Sequence, residues 1–256
     1  LRLGAAAGPL KGSYSAGVDL HHHLCAPELI AETPVASLPP EALGYIYPSR
    51  YCQSDLMGAR VMREFGQLPQ GHARVVAIQN WVRQHVRFEG NTTTSATSAM
   101  DTLNEGRGVC RDFAHLMIAL CRALNIPARF ATGIDFGADP ALGPTDFHAY
   151  VEVFLGGRWY IFDPSGTAIP MGFVRFGTGR DAADVSFATI FGSVQSQPPV
   201  IHVRALLDGR KTQTRRIPGR LMKFGPSHDF SASTTNGYDL CFRDKAKRWH
   251  DVRLER

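Results

Sequence analysis

The sequence predicts an α+β fold in which helices of the N-terminal half pack against an antiparallel β-sheet. Up to residue 124, apolar residues recur at spacings of three and four, which indicates amphipathic helices. From residue 147 apolar and polar residues alternate, and the pair Gly156-Gly157 interrupts the alternation, which is typical of a β-hairpin. Because the strands follow the helices instead of alternating with them, a parallel α/β sheet is not expected.

Length and composition limit the class of protein. The 256 residues suffice for one catalytic-size domain with an appendage, and 44% hydrophobic with 20% charged residues exclude collagen, coiled coil and general disorder. No window is apolar enough to span a membrane, and no signal peptide is expected. Five cysteines without a CxxC pair argue against a disulfide scaffold or a zinc ribbon and favour a reducing, cytoplasmic location.

The helical pattern begins after residue 48. Residues 1–48 are expected to form loops and one strand around 14–24, with no helix. Helices are predicted from residue 54 to Gly66, over 71–86 and over 98–105. The three adjacent histidines at 21–23 would point to opposite faces of an extended segment, so no metal site is predicted there.

Cys110 opens the most informative helix, predicted over 110–124 with Pro127 as its stop. Gly106 and Gly108 let the backbone turn sharply into this helix, which leaves Cys110 in the first turn. Free backbone N–H groups and the helix dipole stabilise a thiolate at that position. Cys121 lies deeper on the apolar stripe and is expected to be an inert core residue.

His148 and Asp163 are predicted to share one face of the hairpin. A two-residue turn pairs Leu155 with Arg158, so Tyr150 lies opposite Asp163 and His148 is diagonal to Asp163. At that spacing a carboxylate can reach an imidazole. Together with Cys110, these residues are the parts of a Cys-His-Asp nucleophilic triad.

At these positions the chain resembles the transglutaminase-like superfamily of papain-type folds, and specifically its bacterial transglutaminase-like cysteine peptidases. The resemblance covers residues 20–195. It is carried by PSRYC at 48–52, GVCRDFAHL at 108–116, NIPAR at 125–129, DFHA at 146–149, GRWYIFDP at 157–164 and GRDAADV at 179–185. It implies a papain-like core in which Cys110 is the nucleophile, His148 the general base and acid, and Asp163 the residue that orients the imidazole.

The function expected from both arguments is acyl transfer through a thioester, with a peptide or protein as substrate and without a cofactor or metal. Hydrolysis by a cysteine peptidase or amidase is favoured, and a protein-glutamine transglutaminase is the alternative within the class. A non-catalytic binding domain and a nucleic-acid-binding protein are the alternatives outside it. The sequence does not determine the oligomeric state.

The last part of the chain differs in charge. Residues 201–256 carry 13 Lys and Arg against 6 Asp and Glu, whereas the rest of the chain is slightly acidic. Residues 204–216, RALLDGRKTQTRR, resemble the opening of phage-type ASCH-like proteins, small barrels suspected of binding RNA. We interpret the tail as a solvated basic extension, with nucleic-acid contact as the less favoured alternative. The predicted division is 1–48 as an N-terminal remnant, 49–195 as the catalytic core and 196–256 as this extension.

Overall fold

Five helices and a four-stranded sheet build the fold in this computed structural model. It describes residues 20–136, 147–168, 170–186, 191–197 and 199–203, isolated positions between 8 and 18, and the backbone of three short strands after residue 232. The helices are α1 (Pro40–Leu43), α2 (Gly58–Phe65), α3 (His72–His85), α4 (Ala99–Glu105) and α5 (Cys110–Ala123). The strands are β1 (His22–His23), β2 (Arg87–Phe88), β3 (Arg107–Gly108), β4 (Ala128–Asp135), β5 (Phe147–Leu155), β6 (Arg158–Phe162), β7 (Phe173–Gly179), β8 (Ser233–Thr234), β9 (Leu240–Arg243) and β10 (Trp249–Val252).

The main sheet has the strand order β6-β5-β4-β7, and all its neighbours are antiparallel. The hairpin register agrees with the sequence prediction, since Leu155 pairs with Arg158 and Val151 with Phe162. Gly156 and Gly157 form the turn with φ of 53° and 83°, a backbone conformation that favours glycine. This register places Tyr150 next to the end of β6, where Asp163 follows.

Helix α5 is the centre of the hydrophobic core. From Asp112 to Arg122 every residue is buried, and the apolar ones pack with Val151 and Val153 of β5. Asn125, with φ of 60°, ends the helix in the left-handed conformation, and Pro127 prevents its continuation. The helix therefore holds its first residue, Cys110, in a fixed place at one end of the sheet.

The other predicted helices are present with small shifts of their ends. Ser98 caps α4 by accepting from the Asp101 amide, while the Asp101 carboxylate accepts from the Ser98 amide. The helix predicted from residue 54 is divided into a 3-10 turn, Ser54–Leu56, and α2. In α3 the ring of His85 is exposed and stacks on Trp81 at a centroid distance of 3.7 Å.

Two expectations for the main chain were wrong. The N-terminal region contains α1, a single helical turn opened by Pro39 and Pro40, where no helix was expected. Strands β4 and β7 were not predicted, because neither has the strict alternation that reveals a half-buried strand. The strand expected around 14–24 is limited to His22–His23 among the residues described.

The remaining predictions concern membrane spans, the domain division and the C-terminal tail. Within the part of the chain that the structure describes, no helix is long and apolar enough to cross a membrane. The division at residues 48 and 195 stays a prediction. The segment 204–216, which resembles the opening of ASCH-like proteins, lies outside the described residues, so the solvated extension and the less favoured nucleic-acid contact both stay predictions.

Gly133 of β4 is expected to tolerate no side chain. It lies opposite His148, and a β-bulge on its other side brings β7 so close that a Cβ would lie 2.0 Å from the Val174 carbonyl oxygen and 2.5 Å from the Phe173 ring. Gly133→Ala should lower the free energy of unfolding by about 3 kcal/mol, because backbone must move. Thermal unfolding measures this, and Gly58→Ala, which meets open space in a helix, is the control. Equal melting temperatures for the two variants would contradict the account.

Candidate active site

The position of Cys110 depends on the local structure that begins α5. The Asp112 carboxylate accepts a hydrogen bond from the Val109 amide at 2.8 Å and another from the Thr93 hydroxyl, which fixes the first turn. Residue 108 must be glycine, because a Cβ there would lie 2.7 Å from Cβ of Asp112. Cys110 itself is half-buried and therefore open to a reagent. The first turn offers unpaired N–H groups and the positive end of the helix dipole to a thiolate.

His148 and Asp163 meet as the hairpin register predicts. Nε2 of His148 lies 3.4 Å from Oδ1 of Asp163, and the side chains are 10% and 4% exposed. This distance is at the long end for a hydrogen bond, as is common for catalytic pairs without a bound substrate. Because Nε2 faces the carboxylate, Nδ1 is the ring nitrogen left for the thiol.

Asp163 is held in place from several sides. Its Oδ1 accepts from the amide of Ser165 at 3.0 Å and the hydroxyl of Ser165 at 2.6 Å, and its Oδ2 accepts from the amide of Ala168 at 3.0 Å. Arg83 of α3 donates to the backbone carbonyl of Asp163 at 2.8 Å. Burial alone would raise the pKa of Asp163. The hydrogen bond and charge of His148 and the hydrogen bonds from Ser165 and Ala168 lower it. Asp163 is thus a fixed carboxylate directed at the imidazole.

The electrostatics of His148 couple the three residues. Burial alone would lower the pKa of His148, yet hydrogen bonds to Asp163 and Cys110, together with their charges, raise it to about 10. Asp163 and Cys110 therefore both favour the imidazolium form of His148.

The other described cysteines differ from Cys110. Cys52 and Cys121 are buried, and burial raises the pKa of the Cys52 thiol to about 12 and that of Cys121 even further. The structure confirms that Cys121 is a core residue. Cys25 is half-buried, and none of these four cysteines is in a disulfide. Cys110 is the one that combines accessibility with a histidine partner among the residues described.

Three residues around the site were missed by the sequence reasoning. Tyr150 was placed on the face of His148 by alternation, but its ring contact with His148, at a centroid distance of 4.6 Å, was not foreseen. Asp135, which accepts from the Tyr150 hydroxyl, gave no signal because β4 itself was not predicted. Arg83 lies 80 residues before Asp163, and nothing in the local sequence connects the two.

The histidines at 21–23 do not gather a ligand set. Among the described residues, no group of three or more His, Cys, Asp or Glu side chains is placed to hold a metal ion. His22 and His23 instead lie in β1, which pairs with β8. His23 contacts the ring of Tyr160.

Comparison with known proteins identifies the fold. The crystal structure of a proposed cysteine protease from Cytophaga hutchinsonii is 45% identical, with a TM-score of 0.62 over 66% of this chain and 57% of that chain. An uncharacterised protein of Mycobacterium leprae is 31% identical over 146 residues, which are 55% of this chain and 52% of the relative. An uncharacterised protein of Mycobacterium tuberculosis is 32% identical over 109 residues, 38% of this chain and 35% of the relative.

These relatives are longer than the matched region, and this chain spans about half the length of the Mycobacterium leprae protein. The model of the transglutaminase-like superfamily matches residues 60–164. That range contains Cys110, His148 and Asp163, and it runs from α2 to the end of the hairpin. Residues 60–164 of this chain therefore form a transglutaminase-like domain, whose mixed helix and sheet fold is similar to that of the Cytophaga hutchinsonii structure.

Proposed function

We propose that this protein is a thiol-dependent acyl-transfer enzyme that cleaves amide bonds, as a cysteine peptidase or amidase. The observation that carries the proposal is the position of the His148 imidazole, which lies between the Asp163 carboxylate and the Cys110 thiol. A nucleophile, a base and a residue that orients the base are the three parts that nucleophilic catalysis requires.

The reaction follows from the protonation states of these groups. The Cys110 thiolate attacks the carbonyl carbon of the amide, and we assign the Cys110 backbone N–H, at the start of α5, as one donor to the oxyanion that forms. The His148 imidazolium then gives its Nδ1 proton to the departing amine, which leaves a thioester on Cys110. Neutral His148 next removes a proton from water, the hydroxide attacks the thioester, and the thiolate and imidazolium are restored with release of the acid.

Asp163 acts on the imidazole throughout these steps. Its carboxylate accepts from Nε2–H, so Nδ1 remains the nitrogen that exchanges protons with the thiol and the leaving group. Its negative charge also stabilises the imidazolium that precedes protonation of the amine. The donors from Ser165 and Ala168 keep Asp163 from rotating away.

A peptide or protein is the proposed substrate class, in keeping with the proposed cysteine protease to which this chain is similar. The absence of disulfides among the four described cysteines supports a reducing location, and we propose the cytoplasm. An amine in place of water would resolve the same thioester by transamidation, because the triad chemistry is identical up to that intermediate. The products of the reaction therefore have to distinguish hydrolysis from transamidation.

The test uses a mixture of denatured protein substrates, with and without added methylamine, and the products are identified by mass spectrometry. We expect new amino and carboxyl termini that depend on time and are lost in Cys110→Ala, whereas Cys25→Ala, the accessible cysteine control, keeps the activity. Methylamides of glutamine side chains, formed with release of ammonia and without new termini, would assign a transglutaminase. Products that persist in Cys110→Ala, or no Cys110-dependent product at all, would overturn the proposal.

A further inference from the structure

We propose that Asp135 is a second carboxylate of the active site, which acts as a positioning residue and, with Tyr150, holds His148 in place as its imidazolium. This inference deepens the proposed function and rests on it. It comes from a buried network behind His148 that the triad itself does not use.

The network begins with the placement of Asp135 on the sheet. In the register of β4 and β5, Ala131 lies opposite Tyr150 and Gly133 opposite His148. Since side chains alternate along a strand, Ala131, Gly133 and Asp135 share the face of Tyr150 and His148. Asp135 is diagonal to His148 across the strand pair, a separation that long side chains can bridge. Asp135 is buried, with 5% of its surface exposed.

Tyr150 connects Asp135 to the catalytic histidine. Its hydroxyl donates to Oδ1 of Asp135 at 2.5 Å, and its ring meets the His148 ring edge to face. Phe173 of β7 packs on the other side of the Tyr150 ring at a centroid distance of 4.3 Å and fills the space over Gly133. Tyr150 is fully buried, so its ring packs against His148 in a fixed position. Asp135 holds the hydroxyl end of that ring through the hydrogen bond.

The charges around Asp135 favour a role toward His148. Strand β5 contributes His148 and Tyr150, the end of β6 contributes Asp163, and the residue opposite Asp135 on β7 is the apolar Phe173. The next charged residue of β7, Arg175, donates to Glu152 and is engaged there. His148 is thus the positive partner that acts on Asp135 among the described neighbours, and Asp163 is a negative one.

Ionising Asp135 is costly for the folded protein. Burial raises the pKa of Asp135 to about 6, although the hydrogen bond from Tyr150 and the charge of His148 oppose that rise. Burial also raises the pKa of Tyr150, so the phenol stays neutral and donates. A neutral asparagine could accept the same hydrogen bond without this cost. An aspartate at this position is therefore explained by its charge and not by the hydrogen bond alone.

The experiment is an NMR titration of ¹⁵N-histidine-labelled protein, with His148 assigned by its loss in His148→Ala. We expect Asp135→Asn to lower the midpoint of His148 by roughly half a pH unit to one pH unit, because one of its negative partners is gone. Tyr150→Phe, which keeps the ring but frees the Asp135 carboxylate, should shift it in the same direction by less. Asp184→Asn removes a charge paired with exposed Arg180 and should leave the midpoint unchanged.

Thermal unfolding supplies a second readout that a merely structural role would not give. A folded-state pKa above the ordinary value means that ionised Asp135 lowers stability above pH 6, and that this effect vanishes as the pH falls toward 4. Asp135→Asn should therefore melt at the same or a higher temperature than the parent at pH 8, with the difference closing at lower pH. If Asp135 had only a structural role, Asp135→Asn would melt at a lower temperature than the parent at every pH.

The outcomes separate the two levels of the proposal. If the His148 midpoint in Asp135→Asn and in Tyr150→Phe equals that of the parent, the inference about Asp135 is overturned, whereas the proposed triad is unaffected. If His148 in the parent titrates near 6.5 and Cys110→Ala does not change its midpoint, the proposed function fails first. Should Asp135→Asn not fold, that result contradicts the expected stability, and Tyr150→Phe decides the positioning role.

Discussion

Replacement of His148 by alanine is expected to reduce kcat/KM for the amide substrate by about 10³- to 10⁴-fold. In the proposed mechanism the imidazole has two tasks, which are to sustain the Cys110 thiolate before attack and to protonate the departing amine. Because the pKa of His148 is raised to about 10, the ring stays protonated at neutral pH, as both tasks require. The activity of the parent should therefore extend across neutral pH.

Asp163→Asn should fold like the parent but lose about 10²- to 10⁴-fold in kcat/KM. The amide lacks the charge that stabilises the imidazolium, and it can present N–H to Nε2. Both losses should appear in kcat more than in KM, since the triad acts on the reacting bond. His85→Ala is the matched control, because that exposed ring stacks on Trp81 away from the thiol. Steady-state rates on the cleaved peptide measure the effect, and a His148→Ala enzyme with a tenth of parental activity would contradict it.

Arg122→Met is expected to lower the free energy of unfolding by about 3 to 5 kcal/mol. Arg122 is 1% exposed near the end of α5. Its guanidinium donates to the carbonyl of Ala128 at 2.9 Å, the carbonyl of Tyr47 at 3.1 Å, the hydroxyl of Ser49 at 3.0 Å and the carbonyl of Arg180 at 2.5 Å. One side chain therefore ties α5 to the segment before α2, to β4 and to the segment after β7.

Methionine leaves those buried acceptors without donors and removes the positive charge that interacts with Asp181, which is the source of the expected loss. Urea unfolding followed by circular dichroism gives the free energies. Arg63→Met, at a side chain that is 67% exposed in its pair with Glu64, should change stability by less than about 1 kcal/mol. If Arg122→Met lowered the free energy of unfolding by a similarly small amount, the buried hydrogen bonds of Arg122 would contribute little to stability.

The parts of the site that could be predicted from sequence are those governed by local periodicity. Helix α5 reveals itself because its apolar residues repeat at helical spacing, and its start is marked by Gly108. The hairpin register follows from a two-residue turn, so the approach of His148 to Asp163 is geometry that can be counted along the chain. The proximity of Cys110 to His148 is not local: the sequence pattern supplied the parts of a triad, and the resemblance to a family implied the same three positions.

The parts that could not be predicted depend on packing between distant segments. Strand β4 is buried on both faces and contains Gly133 where alternation would place a side chain, so it lacks the period of a half-buried strand. Without β4 there was no means to place Asp135 near Tyr150. Nothing in the local sequence singles out Arg122, since a sequence does not show that four acceptors surround its guanidinium.

The pH dependence of Cys110 alkylation by iodoacetamide shows whether the thiol and the His148 imidazole form an ion pair. The rates are followed by mass spectrometry in the parent and in His148→Ala, with Cys110→Ala as the blank. We expect a fast plateau that extends below about pH 6 in the parent and disappears in His148→Ala, because the imidazolium would stabilise the thiolate. A rate that rises only above about pH 8 in both proteins would contradict a thiolate-imidazolium pair.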